Sequence, residues 1–76
     1  MNQDNRLPIV TPWGKRVSIR PGDHVELTGL PRTWFKLVHI SESLRGDVSP
    51  EIDLVDPQGR EYRSVADAIV EVRQAA

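Results

Sequence analysis

Apolar and polar residues alternate along several short stretches of this chain, a pattern typical of β-strands that bury one face. In residues 15–20, Val17 and Ile19 are expected to face inward, and Val25 and Leu27 do the same in the next stretch. A Pro-Gly-Asp turn separates the two stretches. The pattern therefore predicts two half-buried strands joined by a tight turn.

The most apolar stretch covers residues 34–40, where apolar side chains fall on both faces. This is typical of a central strand, or of a strand whose faces are switched by a β-bulge, which we expect near Leu37 and Val38. Residues 29–33 contain Gly, Pro and Arg and are predicted to form a loop. The polar residues 41–50 predict a second, longer loop.

A hairpin follows the longer loop. Residues 51–55 alternate again, with Ile52 and Leu54 expected to face inward. The Asp-Pro-Gln-Gly sequence at 56–59 predicts a tight turn, because Pro presets φ at its second position and Gly tolerates a positive φ at its last. The returning strand is expected to turn Tyr62 inward.

Residues 64–76 fit two structures. Apolar residues at helical spacing, with Ser64 and Asp67 resembling a capping box, favour a helix. β-branched residues favour a short 3₁₀ turn over 65–68 followed by a strand over 69–73. We favour the turn and strand, because a last strand would pair with an otherwise open sheet edge.

The first residues are predicted to form an extended lead-in over 1–15. Its two prolines remove backbone donors, so we expect it to dock Ile9 and Val10 on the core rather than to form a central strand. Trp13 is interpreted as a cap over one open end of the core, with exposure to a partner as the alternative.

The chain has 76 residues and no cysteine. This length predicts one domain, which we place at 16–73 between the lead-in 1–15 and a tail 74–76. The absence of cysteine excludes disulfides and thiolate metal sites. No segment has the pattern of a signal peptide or of a membrane span, so we expect a cytoplasmic protein.

The order of these elements resembles the SH3-like small β-barrels, a group that includes KOW and Tudor modules. The resemblance implies an all-β fold: a small barrel of five to six short antiparallel strands with a short 3₁₀ turn near 65–68. The alternative is a sheet with a C-terminal helix over 64–75. The resemblance rests on residues 21–27, 35–40, 52–59 and 63–65, together with Ile69 and Val72.

The chain also resembles short proteins of unassigned role in actinobacterial genomes and their phages. The shared features are a Gly-Asp-x-Val-x-Leu start at 22–27 and an ending at 56–65 that begins Asp-Pro-x-Gly and closes Arg-Ser-Val. This resemblance implies a fold and no activity. The SH3-like resemblance implies a binding module, since members of that group mostly bind peptides, methylated side chains or nucleic acids.

Charge is unevenly distributed although the formal net charge is only −1. Residues 1–45 carry seven Lys or Arg against four Asp or Glu, and residues 46–76 carry three against seven, so the two parts have net charges of +3 and −4. We interpret this as two halves that attract each other within one domain. The alternative is a basic face for an acidic partner.

The sequence shows no catalytic or metal-binding pattern. The two histidines, His24 and His39, lack the spacing of a metal site, and no serine lies in a nucleophile elbow. The acidic residues near the longer loop lack the spacing of a calcium loop. We therefore predict a protein that is not an enzyme and has no cofactor and no metal site.

Three functions remain as hypotheses. The leading hypothesis is a protein-binding module, because loops on a rigid scaffold carry recognition and Trp and Arg dominate interface energetics. The expected contact residues are Trp13, Arg32, Thr33, Trp34 and Arg45. The first alternative is single-stranded nucleic-acid binding by a basic face with an interleaved aromatic; its residues are Lys15, Arg16, Arg20, Arg32 and Lys36. The second alternative is a structural subunit that oligomerises through an open edge strand.

Overall fold

The computed structural model of this chain describes residues 6–41 and 49–75. Over these residues the fold is almost entirely strand, and a 3₁₀ turn at Ala66–Ala68 is the only helical element. The predicted small all-β fold is confirmed, and the alternative C-terminal helix is wrong. The strands are β1 (Leu7–Val10), β2 (Arg16–Ile19), β3 (His24–Leu27), β4 (Leu30–Ile40), β5 (Glu51–Val55), β6 (Glu61–Val65) and β7 (Ile69–Arg73).

The described residues form two antiparallel sheets. One is the β1–β2 hairpin, and the other has the order β6-β5-β4-β3-β7, so β6 and β7 are its outer strands. The described residues hold seven strands, against five to six predicted, because part of the lead-in pairs with β2 from Leu7 opposite Ile19 to Val10 opposite Arg16. Pro8, the proline within β1, allows this because β1 has one neighbouring strand among the described residues, so a missing N–H on its free side breaks no ladder.

The core lies between the hairpin and the inner face of the larger sheet. Every inward position predicted in β3 and β5 is buried, and Ile19 of β2 is fully buried with them. Ile9 packs against this core, but Val10 is 63% exposed, so the expectation that Val10 docks is wrong. The buried cluster is Ile19, Val25, Leu27, Phe35, Leu37, Ile52, Leu54, Ile69 and Val72.

Two aromatic residues differ in part from expectation. Trp13 is 74% exposed, so it does not cap the core, and the alternative of exposure holds. Tyr62 lies opposite Leu54, on the inner face as predicted, and its ring meets the edge of Phe35 at a centroid distance of 5.0 Å. It remains 41% exposed because β6 is an outer strand.

The start of β4 corrects the predicted loop at 29–33. The strand already begins at Leu30, which pairs with Leu27, so Thr28 and Gly29 alone make the turn. Gly29, the second residue of this turn, has φ +81°, a left-handed conformation that glycine adopts without the strain another residue would carry. The face switch predicted near Leu37 is confirmed, because the β4–β5 register shifts between Leu37 and His39.

Side chains, rather than a backbone ladder, connect the hairpin to β7. The Trp13 indole N–H donates to the Val70 carbonyl oxygen at 3.1 Å, and the Gln74 side chain donates to the Ser18 carbonyl oxygen at 3.2 Å. The Lys15 ammonium lies 3.9 Å from the Glu71 carboxylate. We call these three contacts the seam.

The described residues contain no helix of the length and apolar character that crossing a bilayer requires.

Candidate functional site

An enlarged bulge interrupts the β3–β4 pairing. Val25 pairs with Phe35, and Leu27 pairs with Leu30. Between these two pairs β3 advances by two residues while β4 advances by five, so β4 carries three extra residues. Residues 31–34 therefore arch out of the ladder. The sequence signals a break here through its Gly and Pro residues but does not show that it lies inside a strand.

Glu26 stabilises the arch from the facing strand. Its carboxylate accepts a hydrogen bond from the backbone N–H of Arg32 at 2.7 Å. Arg32 has φ +66°, and it is the only non-glycine residue with a positive φ in the described part of the chain. A non-glycine residue in this conformation is costly and persists only where surrounding contacts hold it. The bulge thus displays Arg32, Thr33 and Trp34 in a fixed arrangement.

Trp34 is half-buried beneath an arginine from another strand. The Arg73 guanidinium lies 4.4 Å from the centroid of the Trp34 ring, within cation–π distance. Arg73 pairs with His24 on β3, and His24 pairs with Lys36 on β4, so the three form a row across the outer face of the sheet. Sequence reasoning missed Arg73, because its neighbours lie about 40–50 positions away in the chain.

Trp13 lies at the same end of the sheet as the bulge. Its indole is bonded to Val70, which follows Ile69, and Ile69 pairs with Leu27. Leu27 in turn pairs with Leu30, where the bulge begins. The strand that Trp13 contacts, β7, is therefore two strand spacings, about 10 Å, from β4, which carries the bulge. We define the binding patch as Trp13, Arg32, Thr33 and Trp34.

Arg45 was expected to belong to the same surface and lies outside the described residues. Of the longer loop, only its ends are described, Ser41 on one side and Ser49 with Pro50 on the other. Ser41 directly follows the end of β4 and is seven residues from Trp34, a distance of about 20 Å in an extended chain. The described ends of the loop therefore lie at the far end of β4 from the binding patch.

The five basic residues of the nucleic-acid hypothesis are divided between the two sheets. Arg32 and Lys36 belong to β4 of the larger sheet. Lys15, Arg16 and Arg20 lie on or beside β2, and Lys15 is already paired with a carboxylate in the seam. The structure thus places the predicted basic set on two elements rather than on one strand face.

The surroundings of the binding patch carry more positive than negative charge. The cations here are Arg32, Lys15, Lys36 and Arg73. The two carboxylates beside them, those of Glu26 and Glu71, already have partners. Glu26 accepts the Arg32 N–H, and Glu71 faces Lys15. Four cations against two carboxylates leave an excess of two positive charges, which favours an acidic partner.

A second charged row crosses β4, β5 and β6. The Asp53 carboxylate accepts a hydrogen bond from the Nε of Arg63 at 3.0 Å and lies 3.5 Å from the Nδ1 of His39. The bond to Asp53, with the charges of Asp53 and Glu51, raises the pKa of the Arg63 guanidinium. The side chains of His39, Asp53 and Arg63 are all more than one-third exposed. Exposed cross-strand pairs of this kind contribute little to stability.

The described residues contain no group of three or more His, Asp or Glu side chains arranged to hold a metal ion.

A groove of about 690 Å³ runs between the β1–β2 hairpin and the 3₁₀ turn, with Ile9, Val17, Pro50 and Ala66 in its walls. Its walls are mostly apolar, with two serines and the charged residues Arg16 and Asp67, and they bring together no recognisable catalytic set.

Comparison with known protein families finds no family that matches this chain, and neither the curated proteins nor the solved structures include a significant match.

Proposed function

We propose that this protein is a non-enzymatic binding module whose binding patch captures an acidic segment of a partner protein. The observation that carries the proposal is the bulge of β4, where a carboxylate from β3 holds Arg32 in a left-handed conformation. Backbone strain of this kind is found preferentially at functional sites. A regular hairpin would need neither the extra residues nor the strain.

Trp13 is suited to act as the anchor of this contact. The residue is 74% exposed, yet its indole N–H is already held by the Val70 carbonyl. A side chain oriented before binding loses less conformational entropy when the partner arrives. Large exposed Trp side chains also dominate the energetics of protein interfaces.

The resemblance to SH3-like barrels supports a binding role at the level of the fold alone. A cytoplasmic setting and a phage or actinobacterial accessory role belong to the same proposal, and they rest on the absence of cysteine and on the sequence resemblance.

Selection of random displayed peptides, followed by affinity measurement on the selected peptides, tests the proposal. We expect peptides rich in Asp and Glu. Trp13→Ala should weaken their binding at least tenfold. Arg32→Gly should weaken it similarly without loss of stability, because glycine adopts φ +66° freely.

Arg16→Ala is the matched control, since it removes an exposed arginine from β2 without touching the binding patch. Peptide affinities that respond equally to Arg16→Ala and Arg32→Gly would contradict the proposed site. Failure to select any peptide whose binding depends on Trp13 would contradict the proposed function.

The nucleic-acid alternative is favoured by one observation, the row of Arg73, His24 and Lys36 beside Trp34. Titration with single-stranded DNA and RNA at roughly 50 and 200 mM salt distinguishes the two functions. If the alternative is correct, oligonucleotides bind, binding weakens steeply with salt, and both Arg16→Ala and Lys36→Ala reduce affinity. Under our proposal, oligonucleotide binding is absent at the higher salt concentration.

A further inference from the structure

The outer strand β6 has one free edge. In the described part of the chain it pairs with β5 alone, and residues 61, 62 and 63 are all exposed. An open edge presents unpaired N–H and C=O groups to any other strand. We infer that β6 pairs antiparallel with β6 of a second copy of this chain, about a two-fold axis at Tyr62.

The other outer edges are less available. At β7, the hairpin covers the edge through the seam, and the Trp13 indole already occupies the Val70 carbonyl. At β1, Pro8 has no N–H to give to a ladder. Of the described strands, β6 combines exposure, freedom from proline and an uncovered edge.

The β5–β6 ladder shows which backbone groups are free. At one end the Ala66 N–H donates to the Pro50 carbonyl, and at the other the Asp56 N–H donates to the Arg60 carbonyl, both at 2.9 Å. In an antiparallel pair, residues that exchange hydrogen bonds with the partner alternate with residues whose groups point away. Even-numbered residues of β6 therefore bond to β5.

Glu61, Arg63 and Val65 consequently direct their N–H and C=O groups to the free edge. A second β6 strand must bring its own odd-numbered residues opposite these. A two-fold axis placed between two residues would bring odd-numbered residues of one copy opposite even-numbered residues of the other. The even-numbered residues already bond to β5, so this position of the axis is excluded. The axis must therefore pass through a residue.

Charge then selects the register. With the axis at Tyr62, Glu61 of each copy lies opposite Arg63 of the other, which gives two opposite-charge pairs. An axis at Arg63 would place two arginines opposite each other, and an axis at Glu61 would do the same with two carboxylates. Like charges directly opposite each other are destabilising. Although the Arg63 Nε binds Asp53, the guanidinium has further N–H groups, and its side chain is 70% exposed.

Tyr62 also fits this register. On the axis, the two Tyr62 residues form a pair without backbone hydrogen bonds between them, the type in which side chains approach most closely. Each Tyr62 residue is 41% exposed, and its ring already packs against Phe35 at the margin of the core. Pairing would cover this exposed aromatic surface in both copies.

Sedimentation measurements across a concentration series test the inference. We expect a reversible monomer–dimer equilibrium. Glu61→Arg should weaken it by about tenfold or more, because both charge pairs become like-charge pairs. The exchange of both residues, Glu61→Arg with Arg63→Glu, restores the opposite-charge pairs and should recover most of the affinity. Within residues 6–41 and 49–75 the Glu61 side chain makes no hydrogen bond or ion pair that its replacement would remove, and circular dichroism checks the fold of each variant.

Amide hydrogen exchange on the unaltered protein gives an independent readout. At concentrations where the dimer dominates, the amides of Glu61 and Arg63 should be protected, and this protection should disappear on dilution. The amides of Tyr62 and Ser64 bond within the sheet and should stay protected throughout. A monomer at millimolar concentration with fast exchange at Glu61 and Arg63, or a dimer whose affinity does not respond to Glu61→Arg, would overturn the inference.

Discussion

The carboxylate of Asp23 accepts a hydrogen bond from the backbone N–H of Ala75 at 2.8 Å, across 52 positions of the chain. The same carboxylate accepts the N–H of Arg20 at 3.0 Å, and the Asp23 side chain is fully buried. One turn residue thus fixes both the β2–β3 connection and the residues that follow β7. The predicted tail at 74–76 is held to the domain over its described part.

Replacement of Asp23 by alanine should destabilise the fold by about 2–3 kcal/mol, because two N–H donors lose their acceptor. Asp23→Asn keeps one acceptor oxygen and should lose roughly half as much. Urea unfolding of the three proteins measures these differences. A loss below about 0.5 kcal/mol for Asp23→Ala would show that water replaces the carboxylate at both donors.

Glu26→Ala should destabilise the protein by about 1–2 kcal/mol, because the Arg32 N–H loses a charged acceptor and the left-handed conformation loses its support. Glu26→Gln keeps an acceptor oxygen and should recover most of the loss. Glu71→Ala is the control, since its ion pair at 3.9 Å and the long hydrogen bond that its carboxylate accepts from the Val72 N–H at 3.3 Å should together contribute about 0.5 kcal/mol or less. Equal effects of Glu26→Ala and Glu71→Ala in urea unfolding would contradict the role given to Glu26.

Asp56 should make stability depend on pH at the acidic end. Its carboxylate accepts the backbone N–H groups of Arg60 and Gln58 at 2.8 and 2.9 Å and binds the Arg60 guanidinium. These donors, foremost the Arg60 N–H, lower the pKa of Asp56 below its ordinary value. Because the folded pKa is depressed, the contribution is complete above the ordinary aspartate pKa of about 4 and is lost as the pH falls through the lower folded value.

The free energy of unfolding of Asp56→Asn, measured between about pH 7 and pH 2.5, checks this sign. The difference from the unaltered protein should be constant above about pH 5 and should shrink below about pH 4. Asp67→Asn, at an exposed residue of the 3₁₀ turn, serves as the control. A difference between Asp56→Asn and the unaltered protein that grows as the pH falls would contradict the prediction.

Truncation of Phe35 should destabilise the fold far more than truncation of Trp13. Phe35 is 1% exposed, and Phe35→Ala should destabilise the fold by about 3–5 kcal/mol. Trp13→Ala removes a larger side chain but one that is mostly in solvent, so its effect should stay below about 1 kcal/mol. Thermal or urea unfolding compares the two, and a Trp13→Ala loss near that of Phe35→Ala would restore the interpretation of Trp13 as a core cap.

The hairpin that closes at 56–59 could be predicted because its geometry is encoded locally. Gly59 has φ +85°, as the last position of the turn requires, and its N–H donates to the Asp56 carbonyl at 2.9 Å. The 3₁₀ turn and the strand after it were also predictable, since β-branched residues suit a strand and leave the helical alternative weak. Each of these predictions uses residues that lie close together in the chain.

The enlarged bulge and the exposure of Trp13 could not be predicted in this way. Pro31 indicates a strand break, yet β5 begins to pair with β4 only at Lys36, so the missing N–H of Pro31 breaks no bond on that side. The arch also depends on Glu26 from another strand. Trp13 is exposed because the rest of the chain fills the core without it, which is a property of the whole fold.

Of the predicted contact residues, Arg32, Thr33 and Trp34 are neighbours in the chain, so their grouping follows from sequence alone. The approach of Trp13 to them depends on contacts across 57 positions.

The seam that makes this approach possible has a further consequence. Since the described residues share no backbone ladder between the hairpin and the larger sheet, side-chain contacts such as the seam and apolar packing hold the hairpin in place. The strands β1 and β2 can therefore detach as one unit while the larger sheet keeps its ladder bonds. Heat, protease or mechanical load should therefore open the molecule first at this junction.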